Sequence, residues 1–317
     1  MNEMIKKITL LASLTIPLFL AACGSGSDST TTPAPTVGHA YLVNPTNSSI
    51  YNYSIGNNGA FTLASTLLLP TSAYGFAIAT DPTGQYAFVA DNTTGTIFSY
   101  SIGSNGALST TPSATSSSPA GEYPSALAID STGQYAYAAN GASDNDSISE
   151  YAIGTNGALS LLTTLDLSGA RPNAIAVNPK GQYVYLVTGN SLISEYAITT
   201  NGTLSPVATS PMTATGAYGI TIDPAGQYLY AATSAGVFEY SIGSNGALSP
   251  ISTPVAVVGN APYSIAVDPT DKFAYVTDTG SSNISVYSIG SNGALAPMPA
   301  LSAPATYISS IAITSHL

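Results

Sequence analysis

The sequence predicts an all-β fold, a single propeller of four-stranded blades, on three observations. A Gly-Gln-Tyr word recurs at a spacing of 45 to 49 residues, Asn-Gly and Asp-Pro-x-Gly turns recur between short apolar runs, and no helical period occurs between them. The second aromatic of each word falls at Tyr41, Phe88, Tyr137, Tyr185, Tyr230 and Tyr275. That period fits one four-stranded blade, and six copies predict six blades.

The N-terminus precedes the repeats. Lys6 and Lys7 are followed by an uncharged run from Ile8 to Ala22, the layout of a signal peptide over residues 1–22. The run is too short to span a bilayer as a helix. Leu20-Ala21-Ala22-Cys23 resembles the lipobox of bacterial lipoproteins, which implies lipidation of Cys23, the only cysteine. By the same resemblance, Gly24 in place of Asp implies the outer membrane in a Gram-negative cell. Residues 23–38 have the Ser, Thr, Gly and Pro composition of a flexible tether, and the propeller is expected over 39–317.

Within each repeat the first strand is a small apolar run such as Ala126-Leu127-Ala128-Ile129, suited to the crowded axis. Asp81-Pro82-Thr83-Gly84 and its copies then set a tight hairpin, with Asp capping, Pro fixing φ and Gly taking φ > 0. The Gln-Tyr run is the second strand, and an alternating run such as Ser147–Ile153 is the third. Asn-Gly at 58, 105, 156, 201, 245 and 292 closes the hairpin to an outer strand, where Pro206, Pro250 and Pro297 are tolerated at an edge. The chain opens on a second strand and ends on an orphan first strand, so the C-terminal strand is expected to pair with the N-terminal one and remove the open edge. The expected blades are 306–314 with 39–69, then 74–115, 123–165, 171–209, 216–257 and 261–301.

Tyr41-Leu42-Val43-Asn44, Tyr137-Ala138-Ala139-Asn140 and Tyr275-Val276-Thr277-Asp278, together with the turn words, resemble the YVTN-type propellers of the lactonase-like family. The resemblance covers nearly all of residues 39–313. It implies a propeller generally of seven blades, so a seventh, degenerate blade stands as the alternative to six, and it implies hydrolysis of 6-phosphogluconolactone as the best-known activity.

Composition narrows the function. Charged residues make up 7% of the chain and the net charge is −11, which excludes a nucleic-acid binder because phosphate neutralisation needs clustered cations. Without residues 1–22 the remaining cations are Arg171, Lys180 and Lys272.

If the tight hairpins share one face, the variable loops share the other, and variation points to the functional face. Those loops deliver Tyr74, Tyr123, Arg171, Asn173, Tyr218, Tyr263 and Tyr307 to the channel mouth, and the second strands end there in Asn44, Asp91, Asn140, Thr188, Thr233 and Asp278. Phenols above amides and carboxylates suit a polar ligand with apolar faces, such as a sugar. Arg171 is either the cation for a carboxylate or phosphate, or a rim residue stacked on Tyr123 or paired with Glu122 or Asp166. Asp91 and Asp278 are the candidate bases.

Glu150, Glu195 and Glu239 share one third-strand position and are expected as a solvated outer stripe. Asp144-Asn145-Asp146 lacks the following Gly and distant Glu of a Ca²⁺ loop. His39 and His316 fall at the closing seam. No metal or cofactor is expected. With no His or Cys at the mouth, the reading favours an envelope-tethered binding or scaffold module for a glycan, wall component or protein partner. The alternative is a sugar-lactone hydrolase.

Overall fold

The computed structural model describes residues 36–70, 75–119, 123–141, 146–207, 211–251, 261–281, 283–302 and 307–315. These residues form six antiparallel sheets. From the axis outward, blade one is Ser310–Ser315, Thr36–Asn44, Ser49–Gly56 and Phe61–Leu68. Blade two is Gly75–Thr80, Tyr86–Asp91, Thr96–Ser101 and Ala114–Ser117; blade three is Pro124–Ile129, Tyr135–Asn140, Ser147–Ile153 and Leu159–Asp166. Blade four is Pro172–Val177, Tyr183–Thr188, Leu192–Ile198 and Leu204–Pro206, with Met212–Thr213 also pairing with its third strand. Blades five and six are Ala217–Ile222, Tyr228–Thr233, Gly236–Ile242, Leu248–Pro250 and Pro262–Val267, Phe273–Asp278, Asn283–Ile289, Leu295–Ser302.

The innermost strands neighbour one another in a closed ring. The ring is sealed as the chain ends suggest, with Gly38 opposite Ser315 and Val43 opposite Ser310. The structure therefore has six blades, one fewer than is usual among the propellers the sequence resembles.

Each hydrophobic cluster is shared by two adjacent blades. Phe88, Ala90 and Ile97 of blade two pack on Leu127, Ala138 and Tyr151 of blade three, and Tyr275 and Ile284 of blade six pack on Leu42 and Tyr53 of blade one. A polar clasp runs through these seams. The second aromatic of the repeat word donates its hydroxyl to the glycine carbonyl of the next blade's Asn-Gly turn. The pairs are Tyr41 to Gly106 at 2.7 Å, Tyr137 to Gly202 at 2.9 Å, Tyr185 to Gly246 at 2.7 Å, Tyr230 to Gly293 at 2.9 Å and Tyr275 to Gly59 at 3.1 Å. Phe88 has no hydroxyl, and Ser99, directly opposite it on the third strand, donates to Gly157 at 2.7 Å instead.

The same seam corrects the expectation for the glutamates. Glu150 and Glu239 are 1% exposed, and their Oε1 atoms accept from Leu204 N at 3.1 Å and Leu295 N at 2.8 Å in the following blade. Glu195 is buried as well. The third-strand position opposite the second aromatic faces the neighbouring blade, not water. Burial pushes the Glu150 carboxyl up to about 6, with the Leu204 amide pulling the other way.

Both turn types behave as their residues dictate. Gly84, Gly133, Gly181 and Gly226 hold φ between 62° and 72°, and blade six places Asp271 in the same conformation at φ 58°. The turn aspartates are spent on backbone amides: Asp268 Oδ1 accepts from Lys272 N at 2.8 Å and Phe273 N at 2.7 Å.

Candidate functional site

The central channel opens at two ends. On the hairpin face it widens to about 300 Å³ inside a collar of Pro82, Pro179, Pro224 and Pro269. On the variable-loop face the cavity is about 90 Å³. Among the described residues its outer ring is Ser125, Asn173, Tyr218, Tyr263 and Ser309, one from each blade except blade two, above an aliphatic ring of Ile78, Leu127, Ile175, Ile220, Ile265 and Ile311. A cavity of this size is well below the roughly 300–1,000 Å³ of ligand pockets, so a sugar-sized ligand has to lie across the rim. Tyr218 and Tyr263 are stacked there, centroids 5.7 Å apart and planes 17° apart, and Tyr218 is 46% exposed. Asn173 Nδ2 reaches Ala217 O at 3.4 Å, leaving its side-chain oxygen available as an acceptor.

The tyrosine ring read from the sequence thus resolves into two levels. Asn173, Tyr218 and Tyr263 line the cavity. Arg171 and Tyr307 stand before the innermost strands in the left-handed conformation, with φ 48° and 65°, and do not line it. Tyr123 is exposed outside the cavity. Tyr74, Glu122, Asp144, Asn145, His316 and Cys23 lie outside the described residues.

The second-strand ends reach this face but are buried, and several are committed to turns. Asn44 accepts from Thr46 N at 2.9 Å, and Thr233 donates to Gly236 O at 2.8 Å. Asp91 Oδ1 accepts from Thr93 N at 2.9 Å and its Oδ2 from the Thr94 hydroxyl at 2.7 Å, which ties the carboxylate to its own loop. Asn140 donates to Ser147 and Ser149. Asp278 accepts only from the Ser285 hydroxyl, at 2.9 Å, among the described residues. Burial pushes its carboxyl up to about 6, against the lowering effect of Ser285.

Arg171 is exposed, and among the described residues its guanidinium has neither Asp166 nor Tyr123 as a partner. Its backbone N–H donates to Asp146 Oδ2 at 2.9 Å. Asp146 is 5% exposed, and its Oδ1 has no partner among the described residues. A buried carboxylate therefore accepts from the backbone of the residue that carries the one cation of this face. In the sequence Asp146 reads only as part of an incomplete Ca²⁺ loop; the signal that points to it is that the connection from Gly141 to Asp146 is the longest between second and third strands. His39 lies at the seam on the hairpin face, opposite Thr314. No cluster able to hold a metal occurs among the described residues.

Known structures share this architecture. A periplasmic gluconolactonase of Pseudomonas aeruginosa superposes with a TM-score of 0.66 at 15% identity, over 86% of this chain and 84% of its own. A protein of Bacteroides uniformis described as a putative 6-phosphogluconolactonase gives 0.64 at 19% identity, over 87% and 84%. A chain of a nidogen/laminin complex gives 0.64 at 15% identity, over 88% and 99%. At these identities the likeness concerns the fold, which carries unrelated functions. No curated protein matches the sequence. The family described as "Lactonase, 7-bladed beta-propeller" matches residues 109–218 and 188–303. With well over half of the sequence inside that match, the chain belongs to the lactonase β-propeller family, as a member with six blades.

Proposed function

We propose that the protein is a sugar-lactone hydrolase acting on an unphosphorylated substrate at the variable-loop face. Family membership supports the reaction class, and the observation that carries the site is the buried Asp146 carboxylate that accepts from the Arg171 backbone N–H. The sugar face rests on Tyr218 and Tyr263, and Asn173 accepts from a ring hydroxyl. Water attacks the lactone carbonyl, Arg171 balances the oxyanion, and Asp146 takes the proton from the attacking water. The acyl C–O bond then breaks, Asp146 returns that proton to the departing ring oxygen, which leaves as a hydroxyl, and the product is the open-chain hydroxy acid.

An acidic protein with few cations disfavours a phosphorylated substrate, as does the leader-like N-terminus, which would carry the chain away from cytosolic sugar phosphates. In this reading Cys23 anchors the chain to the envelope.

A second reading, capture of a glycan without turnover, is favoured by the cavity lining itself. Its described residues offer hydroxyls and one amide but no carboxylate or imidazole. Hydrolysis of glucono-1,5-lactone by the full-length protein in detergent separates the two. Turnover lowered at least about tenfold in Arg171→Ala and in Asp146→Asn supports hydrolysis at this site. Wild-type rates no higher than the uncatalysed background, with lactone or sugar still bound, would replace it by the capture reading.

A further inference from the structure

Five blades carry the tight turn between first and second strands in full, and four of them begin it with an aspartate. In three, a threonine two residues on donates its hydroxyl to that carboxylate: Thr83 to Asp81, Thr132 to Asp130 and Thr270 to Asp268. Blade four departs at both positions, with Asn178 for the aspartate and Lys180 for the threonine. Each change makes the turn one charge more positive, in a chain whose net charge is −11. The turn's own cap does not require them, although Asn178 Nδ2 also reaches Gly226 O of blade five at 3.5 Å. Asn178 Oδ1 accepts from Lys180 N at 2.9 Å, as the aspartates accept from their own turns.

The two changes act together. An aspartate at 178 would neutralise the ammonium two residues away, whereas the amide caps the turn and leaves the charge intact. Among the described residues Lys180 Nζ donates once, to Gly226 O of blade five at 3.0 Å, which leaves two N–H donors. It edges a groove of about 350 Å³ between blades four and five, larger than the mouth cavity. The groove also presents the exposed amides of Gln182 and Gln227, the half-buried phenols of Tyr183 and Tyr228, and the Ser241 hydroxyl. Asp223 lies beneath, but it is buried and turned to the backbone amides of Gln227 and Tyr228 at 2.6 Å.

We propose that this groove, on the hairpin face and separate from the Arg171 site, binds an anionic saccharide, a sugar unit carrying a carboxylate or a phosphate. Lys180 holds the anion through charge-assisted hydrogen bonds, the phenols meet the apolar face of the ring, and the amides take its hydroxyls.

The test is calorimetric titration of the full-length protein in detergent, at low salt, with digalacturonate, glucose 6-phosphate and neutral cellobiose. At least one of the anions should bind about tenfold or more tighter than cellobiose, and the one that does names the charged group. Lys180→Gln and Asn178→Asp should each remove that preference, with both variants keeping the far-ultraviolet circular dichroism spectrum of the wild type. Arg171→Ala should leave it in place, which keeps this result independent of the hydrolase reading. Equal binding of all three probes, or a preference that survives both Lys180→Gln and Asn178→Asp, would overturn the proposal and leave Lys180 as a tie between blades.

Discussion

Raising the pH should unfold this propeller abruptly, one unit or so above the ordinary tyrosine range. Tyr41, Tyr53, Tyr100, Tyr137, Tyr185, Tyr230, Tyr240 and Tyr275 are each less than a tenth exposed. Burial pushes their phenols up, to about 12 for Tyr53, Tyr100 and Tyr240 and further for the other five. A phenol kept neutral by the fold becomes free to ionise near pH 10 once the chain unfolds. Above that pH the unfolded state holds fewer protons, so the stability present below pH 10 is lost as pH rises towards the folded-state value. Each phenol contributes about 1 kcal/mol of loss between pH 10 and 11, and eight together about 8 kcal/mol. That is comparable to the roughly 5–15 kcal/mol that holds a domain folded. Tyrosinate absorbance and far-ultraviolet circular dichroism, followed against pH on one sample, should show a steep joint transition near about pH 11. Gradual ionisation of all the tyrosines around pH 10, with the β-sheet signal intact beyond pH 12, would refute the account of the seams as dry.

Three further outcomes follow from named contacts. Tyr185→Phe removes the hydroxyl that Gly246 O accepts and should cost about 1–3 kcal/mol in denaturant titrations, because the carbonyl stays buried. Asp271→Gly should stabilise by about 1 kcal/mol, since glycine takes φ 58° freely and a carboxyl raised by burial and by Asp223 and Asp268 disappears; an unchanged or lower midpoint would contradict it. Glu150 binds its proton more tightly folded than unfolded, so its contribution to stability falls as pH rises from about 4.5 to about 6. Glu150→Gln should flatten that part of a stability-against-pH curve, and a slope that persists undiminished would assign it elsewhere.

The architecture was legible because it rests on short-range chemistry. Asn-Gly and Asp-Pro-x-Gly specify turns by their own backbone preferences, and six copies of the first and five of the second or its variants fix the order of strands. The seams are less legible. Alternation in Ser147–Ile153 shows that Glu150 and Tyr151 face opposite sides, but not that both sides are covered by protein, which depends on how neighbouring blades stack. The mouth failed in a similar way. Counting back from the innermost strands groups Arg171 with Asn173, whereas the left-handed Arg171 backbone sets them at different depths. Asp146 could be judged only once the loop from blade three had been laid against blade four.

The Asn-Gly turns also govern how the protein ages. Asn-Gly is the dipeptide most prone to lose ammonia: the glycine nitrogen attacks the asparagine side-chain carbonyl, and the cyclic imide then opens to aspartate or isoaspartate. All six asparagines are exposed. Yet the attacking nitrogens are engaged, Gly59 N on Gly56 O and Gly293 N on Gly290 O at 2.9 Å in both cases, and the side-chain oxygens are fixed by the amides two residues on, as Ala60 N fixes Asn58 at 3.2 Å. The folded turn holds nucleophile and carbonyl apart, so the chemical lifetime of each asparagine is set by how rarely its blade opens. An isoaspartate at any of them would shift the very carbonyl that the preceding blade grips, so damage at one turn loosens the neighbouring seam and exposes the next turn to the same reaction.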